Sequence, residues 1–160
     1  MELLDRLLGH DAWTTAFLLE RCRELSDADL DRRFDIDHGC ARTLLEHLIG
    51  NVEVWTDLLL DRPVRPRHSG AATLDALTTR HTAAYEEFAL LARRITDAGR
   101  LDETWLDRLD DPPTPKSYGG AIAHVITHDM HHRAHLLLVL SWLGLTGLPE
   151  GDVLGWELGG

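Results

Sequence analysis

The sequence is short of the residues on which most familiar chemistries are built. It has only two cysteines, Cys22 and Cys40, and neither falls in a CxxC or Cys-His spacing. No disulfide framework or thiolate metal site is indicated, and both read as buried, inert thiols. HExxH, GxSxG, P-loop and GxGxxG patterns are all missing, so hydrolytic and nucleotide-binding readings that depend on them lose their usual support. No run of about 18 uncharged apolar residues is available to span a bilayer, so no membrane partner is expected. The opening Met-Glu-Leu-Leu-Asp has neither the basic nor the apolar region of a secretory signal, and a reducing cytoplasm is the expected compartment. Lysine is nearly absent: Lys116 stands alone among arginines, which we read as a coding bias. Positive charge is scarce as well. Sixteen basic residues against twenty-seven acidic ones leave a net charge of −11, which repels phosphate polyanions and disfavours nucleic acid as a partner.

What remains is material for helices. At 160 residues and 44% hydrophobic, the chain is expected to form one domain over residues 1–160 with a single core. Leu3, Leu7, His10, Thr14, Phe17 and Leu18 recur at three- and four-residue steps and predict a helix over 2–24. Ser26 opens Ser-Asp-Ala-Asp, an N-cap with acids in the first turn, so a short helix or turn follows before a bend around His38 and Gly39. Leu44, Leu48, Val52, Trp55 and Leu59 predict a second long helix over 41–60, stopped at Asp61-Arg62-Pro63. The segment 61–72, with two prolines and three arginines, must be a surface connection. Thr73 caps a third helix over 74–97, ended by Gly99. Residues 101–118 lose the helical period, and Leu101, Thr104, Trp105, Leu106 and Leu109 fit a short hairpin or an irregular loop. A fourth helix over 119–143 is the most apolar, with a Gly-rich tail behind it. Four amphipathic helices and almost no strand material predict an all-α four-helix bundle.

Ten histidines are many for this length, and five of them, His124, His128, His131, His132 and His135, fall in the fourth predicted helix. At about 100° per residue they project within an arc of about 100°, which predicts one inward-facing stripe. Unsupported core imidazoles are destabilising, because each has two ring nitrogens to satisfy and charged rings repel one another in low dielectric. A divalent cation satisfies them, and histidines four apart on a helix can address one ion. His124 with His128, His128 with His132, and His131 with His135 all have that spacing, which does not choose among them. A further ligand must come from another helix, and His47, at the edge of the second helix's apolar face, is the natural candidate. His10 and His81 lie on apolar stripes too, but a lone inward histidine is more often a hydrogen-bonded core side chain than a ligand. His38 and His68, in loops, have less claim still. For the whole cluster the blander alternative is a hydrogen-bonded polar seam or a pH sensor.

The residues also resemble a known family, the DinB/YfiT-like metal-binding four-helix bundles. The opening His-Asp-Ala-Trp-Thr-Thr-Ala-Phe-Leu-Leu-Glu, with Leu25-Ser26-Asp27-Ala28-Asp29-Leu30 after it, is similar to the family's aromatic first helix and Leu-Ser-x-x-x-Leu turn. Thr43-Leu44-Leu45-Glu46-His47-Leu48, followed by Glu53 and Trp55, resembles its second-helix histidine segment. His124-Val125-Ile126-Thr127-His128-Asp129-Met130-His131-His132-Arg133 resembles its closing His-x-x-x-His-Arg signature, and Leu143-Gly144, Pro149 and Asp152 its tail. Carried over residue by residue, the family's metal ligands are His47, His128 and His132. His131 and His135 then become supporting or core residues, and His124 a neighbour facing the substrate cavity. Arg133-Ala134-His135 departs from the Arg-Gly-Gln of many members and adds imidazole near the site.

Three histidines leave at least one coordination position open, where a bound water or thiol has its pKa lowered. The resemblance favours the thiol, since members include transferases and isomerases that use bacillithiol or mycothiol. The expected function is therefore a metal-dependent thiol S-transferase, with a low-molecular-weight thiol and an electrophile as its small-molecule partners. A metal-dependent hydrolase and a non-catalytic metal-binding stress-response protein are the alternatives. Zinc, nickel and iron suit three imidazoles equally. Trp13, Trp142, Trp156 and the apolar tail offer surface for a second subunit, and family members commonly pair, so a homodimer is expected.

Overall fold

The computed structural model describes residues 1–66 and 70–159. Arg67, His68, Ser69 and Gly160, and with them the expectation for His68, lie outside the described residues. Four long helices account for most of the chain: α1 (Leu3–Arg21), α3 (Ala41–Leu59), α4 (Leu74–Asp97) and α5 (Tyr118–Trp142). Short helices α2 (Asp27–Leu30) and α6 (Val153–Glu157) complete the helical part, and a 3-10 turn, Cys22–Glu24, extends α1. Each long helix falls on the periodic segment that predicts it, with ends within a few residues.

The ends follow from local chemistry. Ser26, Thr73, Ser117 and Asp152 each accept a hydrogen bond from a backbone N–H in the first turn of α2, α4, α5 and α6 respectively. Gly99, at φ +70°, turns the chain out of α4 with the left-handed backbone that glycine adopts without penalty. Between α4 and α5 the chain makes the hairpin, with strands β1 (Thr104–Asp107) and β2 (Thr114–Ser117) paired antiparallel, Thr104 opposite Ser117 and Asp107 opposite Thr114. The fold is thus mostly helical with a small two-stranded sheet.

The long helices pack in a ring, α3 against α4 and α5, and α1 against the same two. Leu18, Leu44, Leu45, Leu48, Ile49, Leu77, Phe88, Leu136 and Leu140 are essentially without solvent contact and form the shared interior. The tail does more than the sequence suggests. Helix α6 lies on α1, where Gly9 makes room for the Trp156 indole: a Cβ there would sit 2.9 Å from the ring. Each of the three tryptophans that suggested a covered surface packs on a ring of its own chain, Trp13 on Phe17, Trp156 beside His10 and Trp142 on Phe34, with Trp142 still about half exposed. No helix is long and apolar enough to cross a membrane, among the described residues.

Phe88 is the largest fully buried side chain and touches the interior from α4. Its replacement in Phe88→Ala is expected to lower the unfolding free energy by about 3–5 kcal/mol. Urea denaturation with an unchanged m-value is the measurement that checks it.

Candidate metal centre

The five histidines of α5 do not all face inward as expected. The buried positions of this helix are Ala121, Ile122, Val125, Ile126, Asp129, His132, Arg133, Leu136, Val139 and Leu140. At about 100° per residue, the histidine arc lies along one edge of that buried arc and overlaps it at His132. His132 is buried, His128 and His135 are half-buried, and His124 and His131 are exposed. His124 lies against Trp55, ring centroids 4.7 Å apart, and is not part of the cavity beside His47 described below. The histidine stripe therefore marks a seam where α5 meets α3.

On that seam the rings of His47, His128 and His132 come together. Their centroids are 5.0 Å apart for His47 and His128, 4.4 Å for His47 and His132, and 4.4 Å for His128 and His132. His47 Nε2 and His128 Nε2 are separated by 3.4 Å. That is long for a hydrogen bond and close to the ~3.3 Å edge of a tetrahedron with ~2.05 Å metal–nitrogen bonds. His128 Nδ1, His132 Nδ1 and His135 Nδ1 are buried without hydrogen-bond partners. A divalent cation is the kind of group these donors fit.

His38 joins the cluster, which its place in a loop gave little reason to expect. It stacks on His47 with centroids 3.8 Å apart and meets His132 edge-on at 5.0 Å. One donor atom each from His38, His47 and His132 all lie within 4.8 Å of one another, and the same holds for His131, His132 and His135. His128 belongs to neither trio and is tied to the centre through its approach to His47. The sequence signal for His38 was the His-Gly bend before α3, which periodicity cannot interpret.

Burial and the neighbouring imidazoles favour the neutral forms of His47 and His132. His47 is pulled down to about 3, chiefly by desolvation and then by His38, His132 and His128, and His132 to about 4 for the same two reasons. Beside His47, between α3 and α4, a cavity of about 320 Å³ is lined by His38, Glu46, His47, Asn51, Arg65 and Arg80 among others. Glu53, buried at its edge, accepts two hydrogen bonds from the Arg80 guanidinium, at 3.2 and 2.7 Å.

A buried polar network that the sequence reading did not find backs the seam. Asp129, next to His128, accepts from Asn51 at 2.9 Å and from the Tyr85 hydroxyl at 2.7 Å. Arg133 donates to Asp11 across the interior, both side chains nearly without solvent contact. Asp11 has its carboxyl pushed up by complete burial and then by Asp129, against the opposing pull of Arg133. Its signal was polar residues at inward positions of amphipathic helices, which periodicity treats as outward. His10 and His81 take the core role: His10 Nε2 lies 2.9 Å from the Gly151 carbonyl, and His81 packs on Tyr85 with centroids 4.4 Å apart. Cys22 is a buried thiol with its pKa pushed up to about 12, as an inert thiol should be.

Known proteins enter at this point. The family model described as the DinB family matches residues 1–152. Comparison with curated proteins gives no match. Among solved structures, a DinB-like protein of Bacillus subtilis, YjoA, superposes with a TM-score of 0.65 at 17% identity, covering 91% of this chain and 96% of that one. At that identity the likeness speaks to the fold.

His81 supplies a pH test. Burial lowers its pKa from 6.5 to about 4, outweighing the Ala12 carbonyl and Asp129. The unfolded chain therefore takes up a proton that the folded chain refuses between those values, and stability present above pH 6.5 is lost as pH falls toward 4. In metal-free protein His81 is expected to lower the unfolding free energy by roughly 1–2 kcal/mol between pH 7 and pH 5. Urea denaturation of wild type and His81→Leu at both pH values, with chelator present, checks this: the variant should show the shallower pH dependence.

Proposed function

The chain belongs to the DinB family, and from that premise we propose that it is a metal-binding four-helix bundle acting as a metal-dependent thiol S-transferase. His47, His128 and His132 hold a divalent cation, zinc, nickel or iron, and leave a position for a small molecule. The observation that carries this reading is the approach of His47 Nε2 to His128 Nε2 at 3.4 Å, two nitrogens facing each other where neither gains a normal hydrogen bond. When bound, the cation lowers the pKa of a coordinated thiol or water so that a nucleophile is available near neutral pH.

The chain's own residues are suited to that role. His47 and His132 keep their lone pairs at physiological pH, since their pKa values of about 3 and about 4 leave no proton for a cation to displace. Asn51 and Tyr85 hold Asp129 from α3 and α4, which fixes the rotation of α5 and with it the positions of His128 and His132. The cavity lined by His38 and His47, though not by His128 or His132, gives a small electrophile room on one side of the centre. Preference for the thiol over hydroxide rests on the resemblance read from the sequence. The same proposal places the protein in the cytoplasm as a homodimer, with exposed Trp142 available to the contact.

Metal analysis of protein purified without a histidine tag tests the centre. Wild type is expected to carry about one equivalent of divalent metal and His128→Ala to fall to background; equal, negligible metal in both would sink the reading. With the metal-loaded protein, conversion of an electrophile only when a small thiol is supplied supports the transferase. Conversion without thiol points to hydrolysis, and a large fall in Tm on chelation with no turnover points to a structural ion.

A further inference from the structure

Resting on the metal reading above, we propose that His38 is a fourth protein ligand to the same cation, supplied by the turn between α2 and α3 at the position the three helical histidines leave open. His38 shares with His47 and His132 a set of donor atoms that all lie within 4.8 Å of one another. Ligands on a common ion with ~2.05 Å bonds are at most ~4.1 Å apart, so a small rotation of the rings closes the set. His38 is also the ring nearest to His47, stacked at 3.8 Å with 25° between the planes.

The backbone of His38 points the same way. Its φ of +61° is left-handed, a conformation uncommon for a residue with a side chain, and Gly39 follows at +73°. The turn is pinned on every side. Phe34 N–H donates to the Gly39 carbonyl at 2.7 Å and Gly39 N–H to Ile36 at 2.9 Å. The His38 carbonyl accepts from Cys40 N–H at 2.9 Å and from the Thr43 hydroxyl, while His38 N–H donates to Asp37 Oδ1 at 2.9 Å. Strain of this kind persists where the surroundings over-determine it, and here it delivers one imidazole onto the histidine seam. The carboxylate that competes for His38 Nε2, on Asp37, stands at 3.6 Å, outside hydrogen-bond distance.

Four imidazoles close a tetrahedral shell, whereas three leave it open. An incoming thiol, its proton lost to solvent, would compete with His38 for the same position. His38 therefore governs how readily the cation accepts an outside ligand.

The test is a Co²⁺ titration of metal-stripped, tag-free full-length protein, followed by visible absorption, for wild type, His38→Asn, His38→Gly and His128→Ala. Asparagine and glycine both accept a left-handed backbone, so the turn survives, and thermal unfolding of the metal-free proteins verifies it. Wild type is expected to bind one Co²⁺ with the intense visible bands of four-coordinate cobalt. Both His38 variants should bind about tenfold or more weakly and lose band intensity as water replaces the ring. With 2-mercaptoethanol as probe, the sulfur-to-cobalt band in the near ultraviolet should appear at lower thiol concentration in the variants than in wild type. If all His38 forms bind one Co²⁺ with equal affinity and the same spectrum, the assignment of His38 is overturned while the metal reading stands. Loss in the His38 variants with none in His128→Ala supports His38 and overturns the role given to His128. Absence of Co²⁺ binding by wild type overturns both.

Discussion

Imidazole nitrogens that face imidazole nitrogens, away from water, are the constraint around which this molecule is arranged. At the seam of α3 and α5 the rings of His47, His128 and His132 lie within 5.0 Å of one another, and His38 closes over His47 from the adjoining turn. A proton placed on His47 or His132 is repelled by the neighbouring rings and poorly hydrated, so these two stay neutral, and buried ring nitrogens of His128 and His132 have no donor or acceptor to meet. On the proposed reading a cation takes one nitrogen from each of these rings and so offsets part of that cost. The helix ends and loop conformations around the seam are consistent with holding the rings there in the meantime.

The holding is done largely by the polar network behind the rings. Thr15 comes from α1, Asn51 from α3, Tyr85 from α4 and Asp129 from α5, so all four long helices meet in one hydrogen-bonded set, with the separate Asp11–Arg133 pair joining α1 to α5. Buried charge of this sort is weak as a source of stability, because desolvation of Asp11 and Arg133 offsets much of their attraction. Its value is in specificity: Asp129 reaches both Asn51 and Tyr85 only when α5 is at one rotation, and that rotation puts His128 and His132 toward α3.

How much of this was legible in the sequence follows from the same physics. The long helices were, because leucines at three- and four-residue steps report which side of a helix is dry. His47 and the histidines of α5 stood out through their spacing and through a family resemblance. The inward direction of all five α5 histidines was misjudged, because their arc abuts the buried arc, and a helix that is apolar over most of its surface gives periodicity little to work with. Asp11, Asp129 and Arg133 were missed because a charged residue on an amphipathic helix is usually on the wet face. His38 was missed for a different reason: its position is set by two successive left-handed residues, and that geometry has no periodic signature. Helix α6 is five residues long and depends on Trp156 seating over Gly9, a contact between chain segments far apart in sequence.

The second trio, His131, His132 and His135, sharpens the argument for where a cation sits. All three of its residues come from α5, so their rings approach from one side and leave the remaining shell to solvent. The seam trio draws His47 from α3, His132 from α5 and His38 from the turn, three directions set by separate elements. Both trios need His132, and a given nitrogen of that ring can serve one ion. Convergence from several elements also ties the geometry to the fold as a whole, whereas His131 is exposed and, among the described residues, meets only rings of its own helix. On the proposed reading the seam is therefore the place for a cation in preference to the face of α5, with the imidazoles at 131 and 135 beside it.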